Sequence, residues 1–394
     1  MKNFVLLVCC ACGFAAASDI KIDRIIGGEF PGKYKHPASI TELDNGDLYL
    51  AYYGGGGEYE DDSKDWGMRL PKGSDKWTEP VVIADAPFLS EGNPVVWQAP
   101  DGLVWLWYVQ RYGPTWSDSR IHAKISRDGA KTWSDNFVVA FEKGTMVRAK
   151  PIVLNDGNYL LPVYHETGND REVVGAETAS LFLRYDPATH LFTETNKITS
   201  RIGNLQPSVA QISDNDLIAY MRRAGGYEPR EDAWLVRSES HDGGRTWAAG
   251  TETKFPNPNA GTDFMKLQSG HLLLVYNDDK NERSKLTVAI STDNDKTYKY
   301  RRMISNASSD LAYPYAIQTK DGVIHIIYTD QRATIYHATF TEDAITERHD
   351  KPGRDEWRRG SVRRDLRYLE HKEHEAREAR QSNGQSRVSA PART

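Results

Sequence analysis

Hydrophobic residues along the chain come in short extended runs, each introduced by a tight polar turn. LDNGDLYLAYY, QAPDGLVWLWYV, VLNDGNYLLPVY, QISDNDLIAYM, MKLQSGHLLLVY and IQTKDGVIHIIY all set an Asp/Asn/Gly turn before an apolar strand. Two apolar runs joined in this way read as a β-hairpin. With Gly46, Gly102, Gly157, Asn215, Gly270 and Gly322 as markers, the steps are 56, 55, 58, 55 and 52 residues. Six hairpins at near-constant spacing predict six copies of one β unit, and the step suits a four-stranded blade with a generous loop. Helical periodicity is missing through the first 345 residues. The pattern therefore predicts an all-β chain, a six-bladed β-propeller of four-stranded antiparallel blades. Residues 20–28 (IKIDRIIGG) are expected to add the outer strand that closes the last blade.

A second repeat runs through the first. SRDGAKTW (126–133), SHDGGRTW (240–247) and STDNDKTY (291–298) follow their hairpin markers by about half a blade and should lie between third and fourth strands. The aspartate can accept backbone N–H bonds across a turn, and the closing aromatic can pack between sheets. A structural role is expected for these aspartates. Trp77 and Phe192 read as worn remnants of the same octapeptide in the first and third blades.

Propeller geometry turns the repeat into a site prediction. A hairpin returns the chain to the face it left, so inner-strand starts and second-strand ends share one face, opposite the turns. The inner-strand starts read His36-Pro37, Asn93-Pro94, Lys150-Pro151, Gln206-Pro207, Asp263 and Tyr313-Pro314. Second-strand ends add Gln110 and Arg111, His165 and Glu166, Arg222 and Arg223, and Asp330 with Arg332; third-strand starts add Asp65 and Arg283. Cationic, phenolic and acidic groups converging on one axis suit a small anionic ligand.

Composition narrows the class. The net charge of -5 argues against a nucleic-acid partner, and the residues from Arg348 onward carry 13 Lys/Arg against 8 Asp/Glu. The opening MKNFVLLVCCACGFAAAS reads as a secretory signal peptide over residues 1–18, too short to span a membrane. All three cysteines fall inside it, so no disulfide is expected in a mature secreted chain. Residues 19–346 form the predicted propeller, and 347–394 a charged, arginine-rich tail expected to be disordered or partly helical. No histidine spacing argues for a metal, and no cofactor is implied.

The octapeptides resemble the Asp-box (BNR) repeats of the sialidase superfamily, over roughly residues 30 to 345; SHDGGRTW matches the box S-x-D-x-G-x-T-W in full. The resemblance implies a secreted, exo-acting glycoside hydrolase that removes a terminal acidic sugar with retention, through a tyrosine nucleophile. Carried over by position, the nucleophile falls on Tyr313. The carboxylate-binding arginines fall on Arg283 and on Arg222, with Arg223 as the alternative to the latter, and the acid/base aspartate falls on Asp65, with Asp62 as its rival. Two positions depart from the family pattern. The first clamp arginine appears as Lys35, which lacks the planar fork of a guanidinium. The glutamate that would activate the tyrosine appears as Gln206, which can orient a phenol but not take its proton, leaving Asp263 or His36 as acceptor. Asn93, Lys150 and Arg332 complete the expected substrate-binding set. The expected partner is a glycan, bound by a monomer without nucleic acid or membrane span. A glycan-binding propeller without catalysis, and a glycosidase or lyase acting on a uronate glycan, remain open at this stage.

Overall fold

The structure is a computed structural model that describes residues 19–171 and 173–347. The expected signal peptide and most of the charged tail lie outside the described residues. Six antiparallel sheets follow one another along the chain. Each runs inner, second, third and outer strand: 34–42, 48–55, 64–70 and 81–84 in blade 1, then 90–98, 104–111, 119–126 and 137–140 in blade 2. Blade 3 uses 145–147 with 152–153, 159–165, 179–186 and 191–194; blade 4 uses 204–211, 217–223, 234–240 and 251–256. Blade 5 uses 263–266, 272–277, 286–291 and 300–305, and blade 6 uses 311–318, 324–330 and 334–340. The outer strand of blade 6 is Lys21–Ile26, paired antiparallel from Lys21↔Thr339 to Ile26↔Ile335. This is the expected closure of the ring, in which the first strand completes the last blade.

Each blade packs both faces on its neighbours, which is why the second strands are apolar throughout rather than alternating; all eight residues of Val104–Arg111 are buried. The buried hydrophobic residues fall into six clusters, one for each blade-to-blade interface. The hairpin turns repeat one another in detail. Leu43, Ala99, Leu154, Ile212, Leu267 and Thr319 each donate their N–H to the carbonyl four residues on, at 2.8 to 2.9 Å. Five of the six marker positions are glycines with φ between 83° and 88°, which a side chain would resist.

The octapeptides lie between third and outer strands, as expected, and their aspartates are acceptors within the turn. Asp242 takes bonds from Ser240 Oγ (2.8 Å), Arg245 N (2.9 Å), Thr246 N (2.9 Å) and Thr246 Oγ1 (2.6 Å). Asp128 and Asp293 repeat the threonine contacts. Trp247 stacks on Phe182 of the preceding blade with ring centres 4.3 Å apart. Trp77 lies in the corresponding turn of blade 1, packed against the blade 6/blade 1 core. Phe192 is different: it lies within the outer strand of blade 3, opposite Tyr185.

Candidate functional site

The inner strands do not run straight into the centre. In blades 1, 2, 4 and 6 the ladder slips between Lys35 and Ala38, Gly92 and Val95, Leu205 and Ser208, and Ala312 and Tyr315. In each slip an X-Pro pair, His36-Pro37, Asn93-Pro94, Gln206-Pro207 or Tyr313-Pro314, lies opposite a single residue of the second strand. Proline has no N–H for the ladder, and a bulge is where a sheet accommodates it. Three of the residues before proline sit in the left-handed region, Asn93 at φ 48°, Gln206 at 55° and Tyr313 at 53°. Such backbone is costly for a non-glycine residue and is retained where the surroundings enforce it. Here it aims His36, Asn93, Gln206 and Tyr313 into one cleft.

Blade 3 breaks the rule. Its inner strand begins at Thr145, and Lys150-Pro151 falls between two short pairings, at Val147↔Val163 and Ile152↔Leu160. The residue that follows the upper pairing, as Asn93 does in blade 2, is therefore Arg148. Arg148 is 3 % exposed, and its guanidinium donates to Thr262 O at 2.9 Å and to Pro314 O and lies 5.3 Å from the Tyr313 ring centre. Lys150 is instead ion-paired to Asp263 at 2.8 Å.

Tyr313 is the hub. Its hydroxyl accepts from Arg222 Nη1 at 2.9 Å and Gln206 Nε2 at 3.1 Å, while Arg222 Nη1 also donates to Gln206 Oε1 at 3.3 Å. A guanidinium only donates, so Oε1 must face Arg222 and the amide NH₂ must face the phenol. With two donors on its oxygen, the Tyr313 proton points elsewhere. The His36 ring meets the Tyr313 ring edge-on at 4.3 Å between centres, and its Nδ1 lies 2.6 Å from Thr329 Oγ1. Burial, then the charges of Arg332, Arg283, Arg148 and Arg222, hold its pKa well below the ordinary value, so the imidazole is neutral. Arg222 is held from its other side by Asn259 Oδ1, 2.6 Å from Nε. Burial works against its charge, but the surrounding tyrosines and Glu166 more than offset this and raise its pKa. Arg283 reaches the same place, bonded to Asn259 O at 2.9 Å and 5.7 Å from the Tyr313 ring centre. Asn93 lines the cleft and donates to Tyr164 Oη at 3.2 Å.

Several expected residues lie elsewhere. The side chain of Lys35 is buried against the backbone, with Nζ on Gly32 O, and does not line the cleft. Asp263 accepts from Lys150, from Ala316 N at 2.6 Å and from Phe264 N at 2.9 Å, which leaves it no role at the cleft wall. Asp65 is fully buried, with both carboxylate oxygens unpartnered. Burial, then the neighbouring Glu91, push its pKa well above the ordinary value, so it is neutral and away from the cleft. Asp62 accepts from Gly56 N at 2.9 Å and caps its own loop. Between Arg222 and Arg223, the cleft takes Arg222. Arg223 turns back to Asn257 O, Ala224 O and Gly226 O.

The carboxylates at the cleft are Glu58 and Glu166. Glu58 comes from the loop GGGGEYEDD and accepts from Arg332 Nη1 at 2.8 Å and Trp116 Nε1 at 3.1 Å. Arg332 thus acts on the cleft through Glu58. Glu166, at the end of the second strand of blade 3, has its carboxyl pushed up to about 7 by burial, with Arg222 opposing and Glu58 reinforcing. Tyr227, Tyr53, Tyr59, Trp116 and Arg171 complete the walls. These residues sit in loops or on buried faces, and Glu166 alone had a positional signal in the sequence. Among the described residues no group of three His, Cys, Asp or Glu side chains is placed to hold a metal ion, and no helix is long and apolar enough to cross a membrane.

Solved structures of other proteins share this fold, three of them as follows. The Hadza microbial sialidase Hz136 superposes with a TM-score of 0.67 at 16% identity, covering 80% of this chain and 67% of that one. The NanB sialidase from Streptococcus pneumoniae gives 0.67 at 9% identity, covering 82% and 71%. The intramolecular trans-sialidase from Ruminococcus gnavus, in complex with oseltamivir carboxylate, gives 0.65 at 13% identity, covering 82% and 97%. No curated protein sequence matches the chain. The model of the BNR repeat-like domain matches residues 46–326, so with its boxes, its hairpins and its six blades the chain belongs to the BNR repeat-like domain family.

Proposed function

We propose that the protein is a sialidase-type glycoside hydrolase that removes a terminal acidic sugar from a glycan outside the cell, with Tyr313 as nucleophile. The observation that carries this reading is the Tyr313 hydroxyl, fixed by Arg222 and Gln206 at the cleft wall, with the guanidinium carbons of Arg148, Arg222 and Arg283 all within 6.0 Å of its ring centre. Such a cleft favours a sugar carrying a carboxylate, and a phenol attacks beside that carboxylate without the repulsion a carboxylate nucleophile would meet.

In the first step the Tyr313 oxygen bonds to the anomeric carbon as the glycosidic C–O bond breaks. The phenol proton passes to the neutral His36 imidazole packed against the ring. Glu166, protonated near neutral pH, gives its proton to the leaving oxygen. In the second step the Glu166 carboxylate takes a proton from water, whose oxygen displaces Tyr313 from the anomeric carbon and restores retained configuration. His36 then returns its proton to the phenol oxygen. The role the resemblance gives to an aspartate passes in this reading to Glu166.

The test is release of fluorophore from a fluorogenic α-linked sialoside by the full chain. Release by the wild type that Tyr313→Phe abolishes supports the proposal; full activity in Tyr313→Phe sinks it. One observation favours a second reading, in which the same cleft binds an acidic sugar without turnover. The group beside the phenol is an amide, which cannot accept its proton. Saturable binding of N-acetylneuraminic acid with no release from any sialoside selects that reading.

A further inference from the structure

Tyr227 follows Gly225 and Gly226 in the loop after the second strand of blade 4. Its hydroxyl lies 3.4 Å from Arg222 Nη2 and 3.4 Å from Arg283 Nη2. Two guanidinium groups from different blades therefore converge on one oxygen. Both nitrogens can only donate, so the group between them must be an acceptor, and an anion fills that position better than a neutral phenol.

The arginines do not depend on Tyr227 for their position. Asn259, fully buried, holds Arg222 Nε through its side-chain oxygen and Arg283 Nη2 through its backbone carbonyl. Arg283 Nε is buried without a hydrogen-bond partner, and Arg283 Nη1 faces the Asp310 carboxylate at 3.7 Å, on the side away from Tyr227's contact with Nη2. Tyr227 differs from everything else in the cluster. It is 38% exposed, it approaches from the cleft side, and the glycine pair before it includes Gly225 at φ 89°. It can leave without dismantling the arginine pair.

We infer that the Tyr227 hydroxyl is the free protein's placeholder for the acidic group that Arg222 and Arg283 hold in the acidic-sugar reading, and that it swings out about Gly225 and Gly226 when the ligand enters. This rests on the acidic-sugar reading above, but not on turnover. The electrostatics agree with the geometry: burial pushes the Tyr227 phenol up, and Arg283 and Arg222 more than reverse that, leaving its pKa below the ordinary value. A placeholder weakens the apparent affinity by the fraction of molecules in which the seat is free, so a seat occupied about nine-tenths of the time costs roughly tenfold. It also selects, because a neutral sugar cannot displace a phenol that two cations hold.

The experiment is calorimetric titration of the full chain with N-acetylneuraminic acid and, separately, with glucuronic acid, for wild type, Tyr227→Phe and Arg283→Gln. Folding of each is checked by circular dichroism. Tyr227→Phe should bind the preferred acid about three- to tenfold more tightly, and Arg283→Gln should lose most of the binding. A second readout does not depend on affinity. The tyrosinate absorbance that wild type has and Tyr227→Phe lacks should move to higher pH when saturating acid is present, because the displaced phenol leaves its two cations. Unchanged or weaker binding in Tyr227→Phe overturns the inference, as does a tyrosinate signal that ligand does not move, or no binding of either acid by any chain. Tighter binding in Tyr227→Phe without sialoside hydrolysis would sustain the placeholder and sink the catalytic proposal. Hydrolysis with no effect of Tyr227→Phe would do the reverse.

Discussion

Replacing Gln206 by glutamate tests the proposed chemistry at its weakest joint. Gln206 is 2 % exposed, with its oxygen 3.3 Å from Arg222 Nη1 and its nitrogen 3.1 Å from the Tyr313 hydroxyl. Gln206→Glu keeps the shape and exchanges that nitrogen for an acceptor, so the phenol turns from accepting a hydrogen bond to donating one. A carboxylate at this distance from a guanidinium gains roughly 5 kcal/mol at an effective dielectric of about 20. Removing the carboxylate from water costs several kcal/mol in the other direction. The two nearly cancel, so Tm should stay within a few degrees of wild type. The chemical effect does not cancel. General-base assistance is worth about 10² to 10⁴ in rate, and wild type draws on a histidine whose basicity burial and four arginines depress. We therefore expect kcat on a fluorogenic α-sialoside to rise by about tenfold to a hundredfold, a part of that range. Initial rates between about pH 5 and 8, the span over which histidine changes charge, with Tm measured alongside, make the comparison. A variant that folds as wild type does but is no faster would refute the reasoning. Either Tyr313 would not be the nucleophile, or its proton would leave by a route that does not pass Gln206.

Two further outcomes follow from the buried carboxyls. If Glu166 is the general acid, it must be protonated, so kcat/KM should hold at low pH and fall as pH rises through about 7; Glu166→Gln should flatten that limb, slowing substrates with poor leaving groups most, and an alkaline limb that persists in the variant excludes the role. Glu91 is pushed up to about 7 chiefly by burial, and Asp65 well above its ordinary value. At these two carboxyls the folded chain binds more protons than the unfolded one, and the stability they contribute is lost as pH rises from about 4, where unfolded carboxyls titrate, through the folded values, ~3 kcal/mol of it from Glu91. Asp65→Asn should raise Tm at pH 8 by a few degrees, and a lower Tm than wild type there would show that the charge is needed.

The ring was legible because its signals are local. A hairpin turn demands a residue that tolerates positive φ, and a box demands an aspartate between short polar neighbours; both recur in the sequence at the blade interval. The cleft was legible only where a local signal coincided with it. X-Pro marks the bulge in four blades, and there the expected residue faces the centre. In blade 3 the proline comes later, the ladder slips by a longer stretch, and the sequence pointed to Lys150 where the fold presents Arg148. The acidic loop EYEDDSKD shows no period that could say which carboxylate turns inward. That choice is made by Arg332 and Trp116, 274 and 58 residues away, which hold Glu58.

Lys35 and His36 show the physical reason most plainly. Along an unbroken strand, neighbours face opposite sides, so a family position and a side of the sheet travel together. A bulge sets two residues against one and breaks that link for the residues beside it. Lys35 is paired with Gly54 just before the slip, while His36 lies within it against Tyr313. Matching by position therefore assigned the cationic role to the residue that turns into the backbone, while Arg222 lines the cleft and Arg148 and Arg283 lie beneath it around the Tyr313 ring, on three other blades. An anion-binding cluster asks only that charges meet at one point, and in a propeller six strands can supply them. The same charges can be supplied from different strands, and that is why a lysine at the expected arginine says little about whether the seat exists.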